Sequence, residues 1–395
     1  MKWYTCTPMD FGGGPGFFGR DSGLMCRGLQ AHGVNARAVM IGGKRADDEP
    51  DLIRTTLSQM EDPEWWRAQS LDGVLLYAWG SPRFRKIAHA IRSADVTLVL
   101  NQDSSGWISP LAGWRGWLQE QKCLSGLKSH PGGLHRFASA IAKGLGPGLL
   151  RTDPLRAMHL KQGDRIACVT PAATEVYRRL CGIYGGKHLA AKVMTLPHPV
   201  NPLYRYSGTT KEKRIIAVGR WDAKIQKRPE YLLHVMTPLV KKHPNLHIDI
   251  VGKEIPEFQE WSATLTEEEQ ERVKFHGYLT AADLLDLYGR SRVLYCPSSF
   301  ESFHIASGEA LCCGCSVVGA DSPSLPGFPW FVNEGSGQLA KSDDPDGHEK
   351  ALHAELEAWD GGDRDPFEIS SRWMKRLHAP QVAKVMLDEF TQESP

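Results

Sequence analysis

Short apolar, often β-branched runs alternate with helix-like stretches along almost the whole chain, and few architectures accept that pattern. The strand-like runs are 2–7, 36–41, 74–77, 96–100 and 166–169, then 214–218, 247–251, 273–275, 293–296 and 316–318. Between them, 21–32 carries Leu24, Met25 and Leu29 on one face and stops at Gly33, and further helical stretches fill 84–92 and 281–291. Thr170 caps a helix through Cys181, Pro229 opens another, and Thr266 with Glu269 makes a capping box for 266–272. Strands that alternate with helices build parallel sheets covered on both faces. The expectation is therefore α/β, and 395 residues suit two doubly wound domains better than one.

The boundary is legible in Leu196-Pro197-His198-Pro199-Val200-Asn201-Pro202, a stiff crossing. It predicts a first domain over 1–203 and a second over 204–366. A Gly/Asp linker at 359–365 leads into a helical end within 367–395. Net charge is +1, which gives no global attraction to nucleic acid. No apolar run approaches the ~20 residues of a membrane span, and the N-terminus enters a strand without a signal-peptide core, so the cytoplasm is the expected compartment. Nine scattered cysteines read as reduced thiols. The pair Cys312 and Cys315 has no second ligand pair, so buried packing is expected there rather than zinc.

The richest stretch is 297–320, PSSFESFHIASGEALCCGCSVVGA. Glu301 falls just beyond the 293–296 strand, at the carboxyl rim where parallel sheets bind ligands. Glu309 lies two turns further along, on a helix predicted over 307–313 with Gly314 as its stop. Two carboxylates so placed can each accept hydrogen bonds from paired hydroxyls. The plainer reading is a helix-start acid and a solvated glutamate. Arg220, after the 214–218 strand, and Lys227, before Pro229, are cations aimed at the same rim, able to neutralise a diphosphate. Lys224 competes with Lys227 for that role.

This stretch, Glu301-Ser302-Phe303-His304-Ile305 through Glu309-Ala310 to Gly314-Cys315-Ser316-Val317-Val318, resembles the signature of the retaining family-4 glycosyltransferases of GT-B fold. In that signature His304 stands where glycine is usual and Ser316 where proline is usual. Gly219-Arg220 through Lys227-Arg228 is similar to the family's G-R-x-x-x-x-K-G, with longer spacing. The resemblance is strong over 219–320 and looser before residue 166. It implies GT-B architecture: two Rossmann-like domains facing a central cleft, with the C-terminal helix crossing back to the first. It also implies transfer of a hexosyl group from a UDP- or GDP-sugar to a hydroxyl of a glycan, lipid-linked or other acceptor. Configuration would be retained through front-face attack, with neither metal nor cofactor. By position, Glu309 would hold the ribose hydroxyls and Glu301 those of the donor sugar. Backbone N–H groups around Phe303, His304 and Ile305 would cradle phosphate. His304 either contacts the donor or packs. Relatives carry a histidine in the loop after 96–100; here Asp103 is the nearest polar candidate.

Gly12 to Gly19 form a glycine loop, read as letting a sugar diphosphate or acceptor approach at Gly13 and Gly14. Gly14, Gly16 and Gly19 also fit G-x-G-x-x-G, which raises an NAD(P)-dependent oxidoreductase as an alternative. Against it stand the late start of the match, Pro15, and no acid at the expected distance. A nucleotide-sugar-binding protein without turnover is a further alternative. Over 107–165, Trp107, Trp114 and Trp117 precede Lys122, Lys128, Arg136, Lys143, Arg151, Arg156, Lys161 and Arg165. This is either a solvated face or a surface for peripheral contact with anionic lipid at the inner membrane face.

Overall fold

The computed structural model describes residues 1–12, 14–127, 130–332 and 335–391. The chain divides into two compact units, one of 1–118, 138–201 and 376–395 and one of 119–137 and 202–375.

The first unit is a parallel sheet of β1 (Lys2–Thr7), β2 (Asn35–Ile41), β3 (Leu52–Thr55), β4 (Gly73–Tyr77), β5 (Thr97–Gln102), β6 (Arg165–Cys168) and β7 (Val193–Thr195). Their order is β3-β2-β1-β4-β5-β6-β7. The central strands are apolar on both faces because helices cover both: Leu75 and Val99 enter one core cluster, Val74, Leu76 and Leu98 the other. The helix Ala379–Thr391 lies against Asp21–Gln30, and Gly28 permits it, since a Cβ there would collide with the Ala379 carbonyl oxygen.

The second unit is a parallel sheet of β8 (Glu212–Val218), β9 (His247–Val251), β10 (Val273–Phe275), β11 (Ser291–Tyr295), β12 (Ser316–Ala320) and β13 (Gly337–Ala340), ordered β10-β9-β8-β11-β12-β13. Strand order reverses between β8 and β11. In such sheets that reversal leaves a crevice outside the strand ends. The loops after β8 and β11 carry Arg220 and Glu301.

Three differences from the sequence expectation have physical reasons. The helical end is two helices, Pro366–Leu377 and Ala379–Thr391, because residues 377–379 pair with the backbone of Val200 instead of continuing the turn. The first of them belongs mostly to the second unit, so the return to the first begins at 376, not 367. Residues 119–137 group with the second unit, where Gly126 turns tightly enough that a Cβ would come within 3.2 Å of Ile225. Finally, β3, β7 and β13 are too short to announce themselves in the sequence.

Candidate functional site

At the rim of the second sheet, the chain after β8 makes one short helical turn, Lys224–Lys227, and the chain after β11 is sewn onto it. Ser299 N–H donates to the Gln226 carbonyl (2.8 Å), Ser299 Oγ donates to the Ile225 carbonyl (2.7 Å), and Gln226 Nε2 donates to the Phe300 carbonyl (3.3 Å). On this frame Lys227 Nζ pairs with Glu301 Oε1, both side chains only 11% exposed. Lys224 is turned instead to Glu257 at the surface. Lys227, not Lys224, is thus the cation on the glutamate.

The next residue, Arg228, is buried and fixes the loop from beneath. Its Nε donates to the Pro297 carbonyl (2.6 Å), and its Nη2 to the Ser298 carbonyl (3.1 Å) and to Asp343 Oδ1 (2.7 Å). His348 meets the same Asp343 oxygen at 3.2 Å, and Tyr295 reaches His348 Nδ1 at 3.0 Å. Burial pushes the Asp343 carboxyl up, but the bonds from His348 and Arg228 outweigh it and hold it at about 2. This network was not visible in the sequence, because Asp343 and His348 lie more than 20 residues beyond the glutamate stretch. The one signal for it was an arginine standing where the resembled pattern has glycine.

Arg228 and His304 both have left-handed backbone, φ 44° and 70°. Glycine is the residue such positions favour. This chain keeps the conformation at both and adds a side chain. His304 is buried, its Nδ1 2.7 Å from Ser307 Oγ and its ring 5.8 Å from that of Phe328. Burial, with the Lys227 ammonium nearby, pulls its imidazole down to about 4. It starts the helix Ile305–Cys312, whose first residue Ile305 is half-buried. Phe303 points into the unit, packing on Phe331 at 5.2 Å, so only its backbone remains for a ligand. Glu309 lies further along the helix and accepts a bond from Tyr288 Oη (3.3 Å). Arg220 is exposed at the end of β8.

Cys296, Glu301 and His304 form the one group of three metal-type ligands among the described residues, their ligand atoms within 4.8 Å of one another. Glu301 already carries the Lys227 ammonium, which a cation would have to displace. Burial and the Glu301 charge push the Cys296 thiol up to about 11, away from the thiolate a metal needs. Every cysteine except Cys123 is buried, and Cys315 Sγ donates to the carbonyls of Tyr288 (3.1 Å) and Ser291 (3.2 Å), as a packing thiol does.

The rim of the first sheet holds Asp103, just past β5. It meets His198 Nε2 at 3.1 Å, and His198 Nδ1 lies 3.9 Å from Asp21. The sequence thus lacks a histidine after β5, but the proline-rich crossing delivers one to the same spot. Burial lowers the His198 imidazole, the Asp103 and Asp21 charges raise it more, and the net is upward. In the glycine loop, Gly13 lies outside the described residues. Gly14 is buried with φ 73°, and a Cβ there would stand 3.0 Å from Asp47 Oδ2. Gly16 is different: a Cβ would meet nothing within 4 Å. No contact within the protein demands glycine there. Arg54, bonded to Asp48 (2.7 Å), to Asp10 (3.2 Å) and to the Gly12 carbonyl (2.6 Å), organises this loop. In the basic stretch, Arg156 is buried against Asp153 and so leaves the exposed face; Lys128 lies outside the described residues.

Residues 212–357 match the family described as Glycosyl transferases group 1. No curated protein sequence matches the chain. Among solved structures, the chain is similar to the lipopolysaccharide outer core galactosyltransferase WaaB, at 14% identity and TM-score 0.63 over 100% of both chains. It is also similar to a sucrose-phosphate synthase from Thermosynechococcus elongatus, at 15% identity and TM-score 0.62 over 99% of this chain and 98% of that one. Anabaena Alr3699/HepE, solved in complex with UDP and glucose, follows at 13% identity and TM-score 0.61 over 100% of both. At these identities the likeness is one of fold, and the fold is GT-B.

Proposed function

We propose, for a chain whose residues 212–357 match the family described as Glycosyl transferases group 1, that it moves a hexosyl group from a UDP- or GDP-sugar to an acceptor hydroxyl with retained configuration. The observation that carries this reading is the Lys227–Glu301 pair at the strand-order reversal. A diphosphate drawing Lys227 toward its oxygens leaves Glu301 to accept hydrogen bonds from sugar hydroxyls. Cation and anion thus exchange partners at little electrostatic cost. Arg220 adds a second positive charge, and Glu309 takes the ribose hydroxyls. The acceptor oxygen attacks the anomeric carbon on the face the diphosphate leaves, the carbon–oxygen bond to phosphate breaks, and the departing phosphate takes the acceptor proton. Because fixed side-chain cations balance the leaving group, turnover is proposed to be metal-independent and to survive EDTA.

The acceptor is a glycan or lipid-linked hydroxyl, with Asp103 as the acceptor-side carboxylate. Peripheral contact with anionic lipid is supported by exposed Leu145 and Leu150 flanked by exposed Lys143 and Arg151, on a segment with no buried residue. No helix among the described residues is long and apolar enough to cross a membrane. Flotation with anionic liposomes at low salt tests the contact, and a protein left at the bottom of the gradient refutes it.

Release of nucleoside diphosphate across a panel of UDP- and GDP-sugars tests the reaction. Glu309→Ala is expected to abolish donor binding, and Lys227→Ala to lower kcat by about 100-fold with a smaller change in KM. Unchanged kinetics in both variants would overturn the site.

A further inference from the structure

We propose that His304 is a specificity-determining residue of this site: its imidazole binds a hydroxyl of the transferred sugar beside Glu301, where a glycine would offer only backbone. The inference rests on the donor-site reading above and extends it to a side chain that the resembled pattern lacks. Three observations converge on it. First, a bulky residue sits at φ 70° and ψ 79°, a conformation that disfavours any side chain and is retained where the side chain has work to do. Second, the ring is aimed at the chemistry. It is only 6% exposed, and a ring nitrogen lies within 4.8 Å of both the Glu301 carboxylate and the Cys296 sulfur.

Third, the ring's hydrogen bonding is half used. Nδ1 is taken by Ser307 Oγ at 2.7 Å, while Nε2 has no hydrogen-bond partner among the described residues. Nε2 is not among the buried side-chain atoms left without a partner, so this edge of the ring is where a ligand or water can complete the bonding. Ser307 and Phe328 fix the ring's tilt, so Nε2 is presented in one direction. The imidazole is neutral at ordinary pH, held so by burial and by Lys227. It therefore offers the single donor or acceptor that suits a sugar hydroxyl, and no charge that would compete with Lys227 for phosphate.

The test compares wild type with His304→Gly and His304→Asn, measuring affinity for UDP, UDP-glucose, GDP and GDP-mannose by calorimetry, and nucleoside diphosphate release for each sugar. Glycine suits the left-handed backbone, so His304→Gly should fold with a Tm at or above that of wild type. Its affinity for the better sugar nucleotide should nonetheless fall by about 10-fold, with less than about 2-fold change for the matching free diphosphate. Discrimination between sugars should narrow. Asn, which tolerates this backbone and keeps a hydrogen-bonding tip, should recover part of the loss. A ring that only packs would give a lower Tm in His304→Gly with unaltered ratios of sugar-nucleotide to diphosphate affinity, and that result would overturn the inference alone. If wild type binds and turns over no sugar nucleotide of the panel while Glu309→Ala behaves identically, the donor-site reading fails, and this inference with it.

Discussion

At the rim of the second sheet the charged groups are already matched in opposite pairs, Lys227 with Glu301 and Arg228 with Asp343. At the rim of the first, a buried histidine stands between two acids, His198 with Asp103 and Asp21. At the second rim Arg228 is bolted to the Pro297 and Ser298 carbonyls, and the bonds from His348 and Arg228 hold its partner Asp343 down at about 2. The first rim keeps its charge balance only while His198 holds a proton. One rim is built as a fixed electrostatic field, the other as a titratable one. A site that must receive a diphosphate gains from the former, since preorganised charge does not have to be rearranged during reaction.

The largest effect that would break this contrast comes from Arg228→Ala. It leaves the half-buried Asp343 with His348 alone and strips a donor from each of the buried Pro297 and Ser298 carbonyls. Loss of one partner from a buried pair costs about 3–5 kcal/mol. Urea unfolding followed by tryptophan fluorescence should show a loss of that order, with donor binding abolished. A variant with unchanged stability would mean that the second rim is not held from beneath at all.

Next in size is the acid response of His304. Its folded value of about 4 lies below the ordinary 6.5, so the unfolded chain binds more protons between these values and stability falls as pH drops through that window. The shift corresponds to on the order of 3 kcal/mol. His159 in the first unit, also lowered to about 4 chiefly by burial, adds a similar slope. His304→Gly should therefore flatten the acid limb of the stability–pH curve in part, leaving the His159 contribution. An unaltered limb would show that His304 is not buried as described.

The first rim has the opposite sign. His198 is raised above 6.5, so its contribution is complete below that pH and is lost as pH rises through the folded value. Asp103→Asn should cost about 1–3 kcal/mol at pH 6 and distinctly less at pH 9. A pH-independent cost would mean that the histidine is neutral throughout, and the contrast between the two rims would vanish.

The same contrast decides what could be read in advance. In the second unit, Glu301, His304 and Glu309 share one stretch, and Lys227 stands beside a proline that opens a helix, so the stretch and its resemblance to the family signature pointed to the rim where Lys227 meets Glu301. The alternation of strands and helices gave both sheets for a similar reason, since buried parallel strands must be apolar on both faces. The clamp under the loop was hidden because Asp343 and His348 reach it only through β12 and β13. His198 was hidden in the same way: a proline-flanked histidine reads as linker until β7 brings it beside β5. The break at His378 and the placing of 119–137 depend on tertiary packing that outweighs local preference.

The smallest effect sharpens the comparison at the glycine loop of the first unit. Gly14 has φ 73° and an Asp47 oxygen 3.0 Å from where a Cβ would stand, whereas Gly16 has open space. Gly14→Ala should cost about 1–3 kcal/mol through backbone strain. Gly16→Ala should change stability by no more than about 0.5 kcal/mol, in either direction. If the loop served a dinucleotide through close backbone approach at each glycine, both substitutions would weaken NADH binding, whatever their difference in stability. A large stability gap between the two, with no NADH binding by wild type, leaves Gly14 as a structural requirement of this loop and Gly16 as a bystander.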